Sequence, residues 1–206
     1  MDERLEHYKQ VVGDMYVESL TVVVVAGASA AEVAAVIAED AGLPAGGPEV
    51  EDHERSSYSI VEVPGGVLAM EDTGYADPTR EALARLSAGG RSAAVVGSNI
   101  QGHDRFGCAR DGVLLFDDPE YVFLDRDDLS RVPTELRPLF DLAWVDLDSE
   151  DEDDDEAVAF AVGLAMAELV TGVELTAQDL ARHHEDQTLQ WQPVRTLAYA
   201  DELAAL

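Results

Sequence analysis

The sequence predicts an α+β fold: an antiparallel sheet of about five or six strands flanked by helices, with a C-terminal helical segment. Three observations predict it. Residues 20–26, LTVVVVA, form a short β-branched run of the kind that suits a buried strand. Two later stretches of strand character turn back on tight-turn signals, Pro64-Gly65-Gly66 and Asp111-Gly112. Residues 156–171 are apolar on nearly every side, which is the pattern of a helix buried against a domain.

Taken in order, residues 3–15 place Leu5, Tyr8, Val12 and Met15 three and four apart, as on one helix face. The strand over 20–26 stops at Gly27. Ser29 and Glu32 then make a capping-box pattern, and Val33, Val36 and Ile37 continue one helical face as far as Gly42. Residues 43–55 carry Pro44, Gly46, Gly47 and Pro48 and read as a loop. Strands over 58–63 and 67–70 form the first hairpin. Asp77-Pro78 reads as a helix start, with Asp as the cap and Pro in the first turn, and Leu83 and Leu86 face inward before Gly89-Gly90. Strands follow over 93–96, 106–109 and 113–116, then a helix over 134–143 that Pro138 interrupts. Thr176 caps a last short helix with Leu180 on its inner face. No internal repeat is present.

In domain terms the sequence divides into an α+β domain over 1–145, an acidic linker over 146–156, C-terminal helices over 157–184 that pack on the domain, and a tail over 185–206. Nine of the eleven linker residues are Asp or Glu, and adjacent like charges repel, so a solvated connector is expected there. The carboxylates precede a helix N-terminus, where the helix dipole favours them.

Composition bounds the function. Thirteen Lys and Arg stand against 43 Asp and Glu, for a formal charge of −30, with Lys9 the single lysine. Such a chain repels phosphate backbones and anionic membranes, so direct nucleic-acid and membrane binding are disfavoured, and the charge points instead to solubility, to a basic partner protein or to cations. Removing the nine charges of 146–156 would leave −21, so the linker alone does not make the chain acidic. A high-GC coding bias or a salt-adapted proteome gives the same excess with no function attached. The single cysteine, Cys108, allows neither an intramolecular disulfide nor a multi-cysteine metal site. The charged N-terminus lacks the apolar core of a signal peptide, and no apolar stretch reaches the roughly 18 residues of a membrane span. A cytoplasmic location is expected.

Four features carry a family resemblance: the strand following Glu18-Ser19; LARLS over 83–87 before Gly89; Arg105-Phe106 with Asp111-Gly112; and the closing pattern AELVTGVELTAQDL over 167–180. With these, residues 20–180 resemble an uncharacterised actinobacterial domain family of unknown function. The resemblance implies an α+β domain with a central antiparallel sheet. It supplies no catalytic residues and no cofactor. The acidic segment and the residues after Arg182 depart from its pattern.

Candidate sites are few. Asp146, Asp148, Glu150, Asp151, Glu152, Asp153, Asp154 and Asp155 could occupy a basic groove on a partner, and Trp191 in the tail could dock on a partner or on the body. The alternation of Asp146, Asp148 and Glu150, and of Asp125 and Asp127, lacks the glycine and the bidentate glutamate of a calcium loop, so no metal ligand is assigned. His183 and His184 point roughly 100° apart on a helix and read as surface residues. His103 and Cys108 are five apart and face opposite sides of a strand, which argues against a nucleophile–base pair. Arg105 and Arg110 share a hairpin and could recognise an anion, but are expected to pair with nearby carboxylates. The common phosphate-loop, nucleophile-elbow, zinc-helix and dinucleotide motifs are absent. The leading expectation is a non-enzymatic acidic protein-interaction module, with an immunity or inhibitor role conceivable. The alternatives are an enzyme or small-ligand binder with a site assembled from distant residues, and an acidic nucleic-acid mimic.

Overall fold

The computed structural model describes residues 3–13, 15, 17, 19–49, 55–101, 103–125, 129–140, 142, 152–185 and 189–195, with backbone only at 152–157, 184, 185 and 195. Its centre is strand β1 (Leu20–Ala26). Val22 and Val24 point to one side of the sheet and Val23 and Val25 to the other, and all four are buried. A strand covered on both faces cannot alternate polar with apolar residues, which is why this run is valine throughout.

Helix α1 (Glu3–Val12) precedes β1, and α2 (Ala30–Ala41) follows it. The expected capping box on α2 is present, with Ser29 and Glu32 bonded reciprocally, and Gly42 closes the helix in the left-handed conformation. Strands β2 (Arg55–Val63) and β3 (Gly66–Glu71) pair through the Pro64-Gly65 turn. After α3 (Arg80–Leu86) come β4 (Ser92–Ser98), β5 (Asp104–Arg110) and β6 (Val113–Asp118). The β5–β6 turn is Asp111-Gly112, with φ of 50° and 78°, the positive pair that matches strand twist in a two-residue hairpin. A single turn, α4 (Arg137–Phe140), then α5 (Glu152–Thr171), α6 (Ala177–Glu185) and β7 (Gln190–Arg195) complete the order.

The sheet has seven strands in the order β6-β5-β4-β1-β3-β2-β7, and every pairing is antiparallel. Helices cover both faces. On one side α1, α4, α5 and Leu180 of α6 bury Val22, Val24, Leu68, Met70, Val96 and Phe106. Phe106, Phe116, Tyr121 and Phe140 pack tilted or edge to face there. On the other side α2 and α3 cover Val23, Val25, Tyr58, Ile60, Val67 and Val95. The α+β class with an antiparallel sheet is as expected; the strand count is one higher than the upper expectation.

Three differences from the sequence reading have local causes. First, α5 begins at Glu152 rather than at 156, so the last five residues of the expected linker are helical; carboxylates in a first turn are favoured by the helix dipole. Residues 146–151 lie outside the described residues. Second, the expected tail contributes β7, whose Pro193 is tolerated because the strand sits at the sheet edge. Residues 196–206 lie outside the described residues. Third, α3 is capped by Thr79, whose side chain accepts from the Ala82 N–H, and not by Asp77. Asp77 is thereby released to turn inward.

Candidate functional site

Where Asp77 turns inward, the sheet presents a row of five polar residues and one glycine. In register across six strands lie Gln192 of β7, Tyr58 of β2, Glu71 of β3, Thr21 of β1, Gly97 of β4 and Arg105 of β5. Tyr58 stands beside Glu71 by continuation of the Ser59–Met70 register. All six belong to the face covered by α2 and α3, and all are buried. Buried polar groups require partners, and each polar side chain here has one.

Glu71 accepts from the Ser56 hydroxyl, from the Thr73 hydroxyl and N–H (2.9 Å for the latter), and from the Gly74 N–H at 3.0 Å. It thereby anchors the loop that leaves β3. That loop crosses the end of the sheet and brings Asp77 over Gly97. Asp77 Oδ1 accepts from the Thr21 hydroxyl at 3.1 Å, and Oδ2 lies 3.4 Å from Arg105 Nη1. Arg105 donates through Nε to Asp117 at 2.9 Å and through Nη1 to the Pro78 carbonyl at 2.8 Å, while Arg80 caps Asp117 at 2.7 Å. Arg105 thus pairs with carboxylates as expected. Arg110 instead donates to the Val170 carbonyl at 3.5 Å.

Burial pushes the Asp77 carboxyl above its ordinary value, against the opposing pull of Arg105. Burial also works against the Arg105 charge, but Asp77 and Asp117 outweigh it and leave its pKa raised. The Tyr58 hydroxyl donates to the Ala76 carbonyl at 2.7 Å, and burial holds it well above the usual tyrosine value.

Asp77 is not sealed. Its side chain is 27% exposed where that of Arg105 is 10%. It opens onto a cleft of about 190 Å³ between α2, β2, β7 and the 75–79 loop. Ile37, Ala41 and Val194 supply apolar wall, Tyr58 and Tyr75 aromatic wall, and Asp40, Asp77 and Thr79 the polar groups. Asp40 accepts from the Thr79 N–H at 3.0 Å and from its hydroxyl. The arrangement can receive a small molecule and present a carboxylate to it.

A second polar cluster lies on the opposite face. The Ser59 hydroxyl meets Nδ1 of His183, whose Nε2 stands 2.7 Å from Asp72 Oδ1, and the Trp191 ring packs edge-on at 5.7 Å. His183 is therefore buried, not a surface residue, because its α6 position three after Leu180 shares that residue's inward face. The hydroxyl–imidazole–carboxylate order resembles a nucleophile with its base, but Ser59 is 2% exposed, in mid-strand. The cluster ties α6 and β7 to β2. Trp191 is half-buried on β7 opposite Ser59.

Among the other expected candidates, the side chains of Glu152, Asp153, Asp154 and Asp155, and all of Asp146, Asp148, Glu150 and Asp151, lie outside what is described. Cys108 is buried in the α1/α5 face, and burial pushes its thiol up to about 12. His103 is exposed and meets Glu120 at 3.3 Å. Among the described residues no group of three or more His, Cys, Asp or Glu side chains could hold a metal ion, and no helix is long and apolar enough to cross a membrane.

The polar row was hidden from sequence reasoning because strand register, not spacing, assembles it. The one available signal was Thr21, a polar residue opening a run of valines. Comparison with known proteins identifies one family whose model matches residues 10–185, described as a family of unknown function (DUF6461); the match runs through the acidic segment. No curated protein and no solved structure matches the chain.

Proposed function

The chain belongs to this family of unknown function, which has no activity to lend it, and from its own residues we propose that it is a non-enzymatic binding protein that takes a small ligand in the Asp77 cleft. One observation carries the reading. Asp77 is held from behind by Thr21 and Arg105 yet remains partly open to a cleft with apolar and aromatic walls. A few placed polar groups in a largely apolar pocket is the usual composition of a ligand site. The candidate nucleophiles favour binding over catalysis: Ser59 and Cys108 are both buried away from the cleft, on the opposite face of the sheet. A reducing, cytoplasmic setting belongs to the same proposal, supported by the lone cysteine.

The test is a fragment screen followed on protein NMR resonances. Saturable shifts confined to Ile37, Ala41, Thr79 and Val194 are expected from at least one small molecule. If no fragment moves these resonances at millimolar concentration, the reading is wrong.

A second reading, an acidic interaction module for a basic partner protein, is favoured by the formal charge of −30. A pull-down from the host at low and high salt, with and without residues 146–156, separates the two. A salt-sensitive partner that is lost on deleting the segment, with the cleft silent, would favour the interaction module.

A further inference from the structure

We propose that the ligand of this cleft is a small organic cation, a primary alkylammonium of a few carbons. This rests on the cleft being a binding site and adds the chemistry of what it takes. Both carboxylates that line it, Asp40 and Asp77, come from different elements, α2 and the 72–79 loop, and converge on one volume. The nearest cation, Arg105, is already committed to Asp77, Asp117 and the Pro78 carbonyl. Among the described residues Asp40 makes no ion pair with a Lys or Arg and receives only the N–H and hydroxyl of Thr79. Among the described residues no Lys, Arg or His lines the space. An incoming anion would face two carboxylates, whereas a cation would supply the charge that Asp40 lacks.

The remaining walls suit the rest of such a ligand. Tyr58 and Tyr75 border the cleft, Tyr75 the more exposed of the two, and aromatic faces attract cations that have shed water. Tyr58 stays neutral, since its hydroxyl is already given to the Ala76 carbonyl. Ile37, Ala41 and Val194 offer apolar contact to a short alkyl chain. At about 190 Å³ the cleft is smaller than the pockets that enclose drug-sized ligands, which limits the occupant to a short chain. The acidic surface would raise the local concentration of any cation, and the cleft adds aromatic and alkyl contacts to its carboxylates.

The experiment compares three probes of equal length, n-butylammonium, n-butanol and butyrate, titrated into the full chain while cleft methyl and amide resonances are followed. Butylammonium should saturate the cleft shifts and bind about tenfold or more tighter than butanol, and butyrate should not bind. Asp40→Asn should weaken butylammonium binding far more than butanol binding, removing most of that preference. Should that variant fail to fold, the wild-type probe series decides by itself. Equal binding of butylammonium and butanol overturns the cation while leaving the cleft a site. Unsaturable butylammonium shifts spread over the acidic surface overturn it as diffuse counter-ion attraction. Silence of the cleft toward every probe and every fragment removes both the cation and the site.

Discussion

Gly97 lies directly beneath Asp77: a Cβ on the glycine would stand 3.1 Å from the aspartate Oδ1 and 3.6 Å from the Thr21 hydroxyl. The missing side chain lets a loop carboxylate reach the sheet surface. Gly97→Ala should lift Asp77 off Thr21 and Arg105, at a cost of about 1–3 kcal/mol. Urea denaturation reads the cost. Carbon-detected titration of the Asp77 carboxyl should show its raised pKa falling toward the ordinary value as the group gains solvent. Unchanged stability and titration would mean that Asp77 is held by something else.

Arg105 is the sole described cation shared between Asp77 and Asp117. Arg105→Met would leave two carboxylates with a buried gap between them, and breaking a buried ion pair from one side costs about 3–5 kcal/mol. Arg80 still reaches Asp117, so Asp77 bears most of the loss. Adding Asp77→Asn should recover a large part of it, and a double-mutant cycle in urea measures the coupling. Additive losses would be evidence against a shared ion pair.

Helix α5 crosses the sheet at Gly163, where a Cβ would lie 2.5 Å from Val96 Cγ1. Alanine in a helix interior normally gains up to about 1 kcal/mol over glycine. Here the clash should outweigh that gain, and Gly163→Ala should be net destabilising by about 1 kcal/mol or more. Val96→Ala in the same chain removes the obstructing methyl, so the double variant should be less destabilised than the two single losses added together. A stabilised Gly163→Ala would contradict this packing.

The Cys108 thiol is raised from 9.0 to about 12 by burial. Between those values the unfolded chain loses its thiol proton and the folded chain keeps it. The unfolded state then binds fewer protons, so stability falls as pH rises through this window and is fully retained below it. Cys108→Ala should flatten this part of the alkaline slope, whatever its effect at neutral pH. In the native protein a thiol reagent should react only as fast as the chain opens. Rapid labelling at pH 8 without denaturant would show the thiol to be accessible.

Local chemistry made much of the fold legible. The capping box at Ser29 and Glu32, the valine run of β1 and the Asp111-Gly112 turn all act within a few residues, and each was readable from the chain. What escaped depends on distant partners. Gln190–Arg195 reads as a polar stretch containing a proline, and it becomes a strand because β2 offers an edge. Asp77 reads as a cap because Pro78 follows it, yet Thr79 wins that role and the carboxylate is drawn to Arg105, 28 positions later. His183 reads as exposed because its hydroxyl and carboxylate partners lie 124 and 111 residues upstream. The polar row is legible only once strand order and register are known, since its members come from six separate strands.

The family match ends at residue 185, and β7 begins at Gln190. The matched residues therefore stop short of the edge strand of the sheet. A fragment cut at 185 would lose Gln192, whose amide accepts from the Gly46 N–H at 2.6 Å and donates to the Pro44 carbonyl at 3.1 Å. It would also leave β2 as a naked edge, able to recruit strands from other molecules.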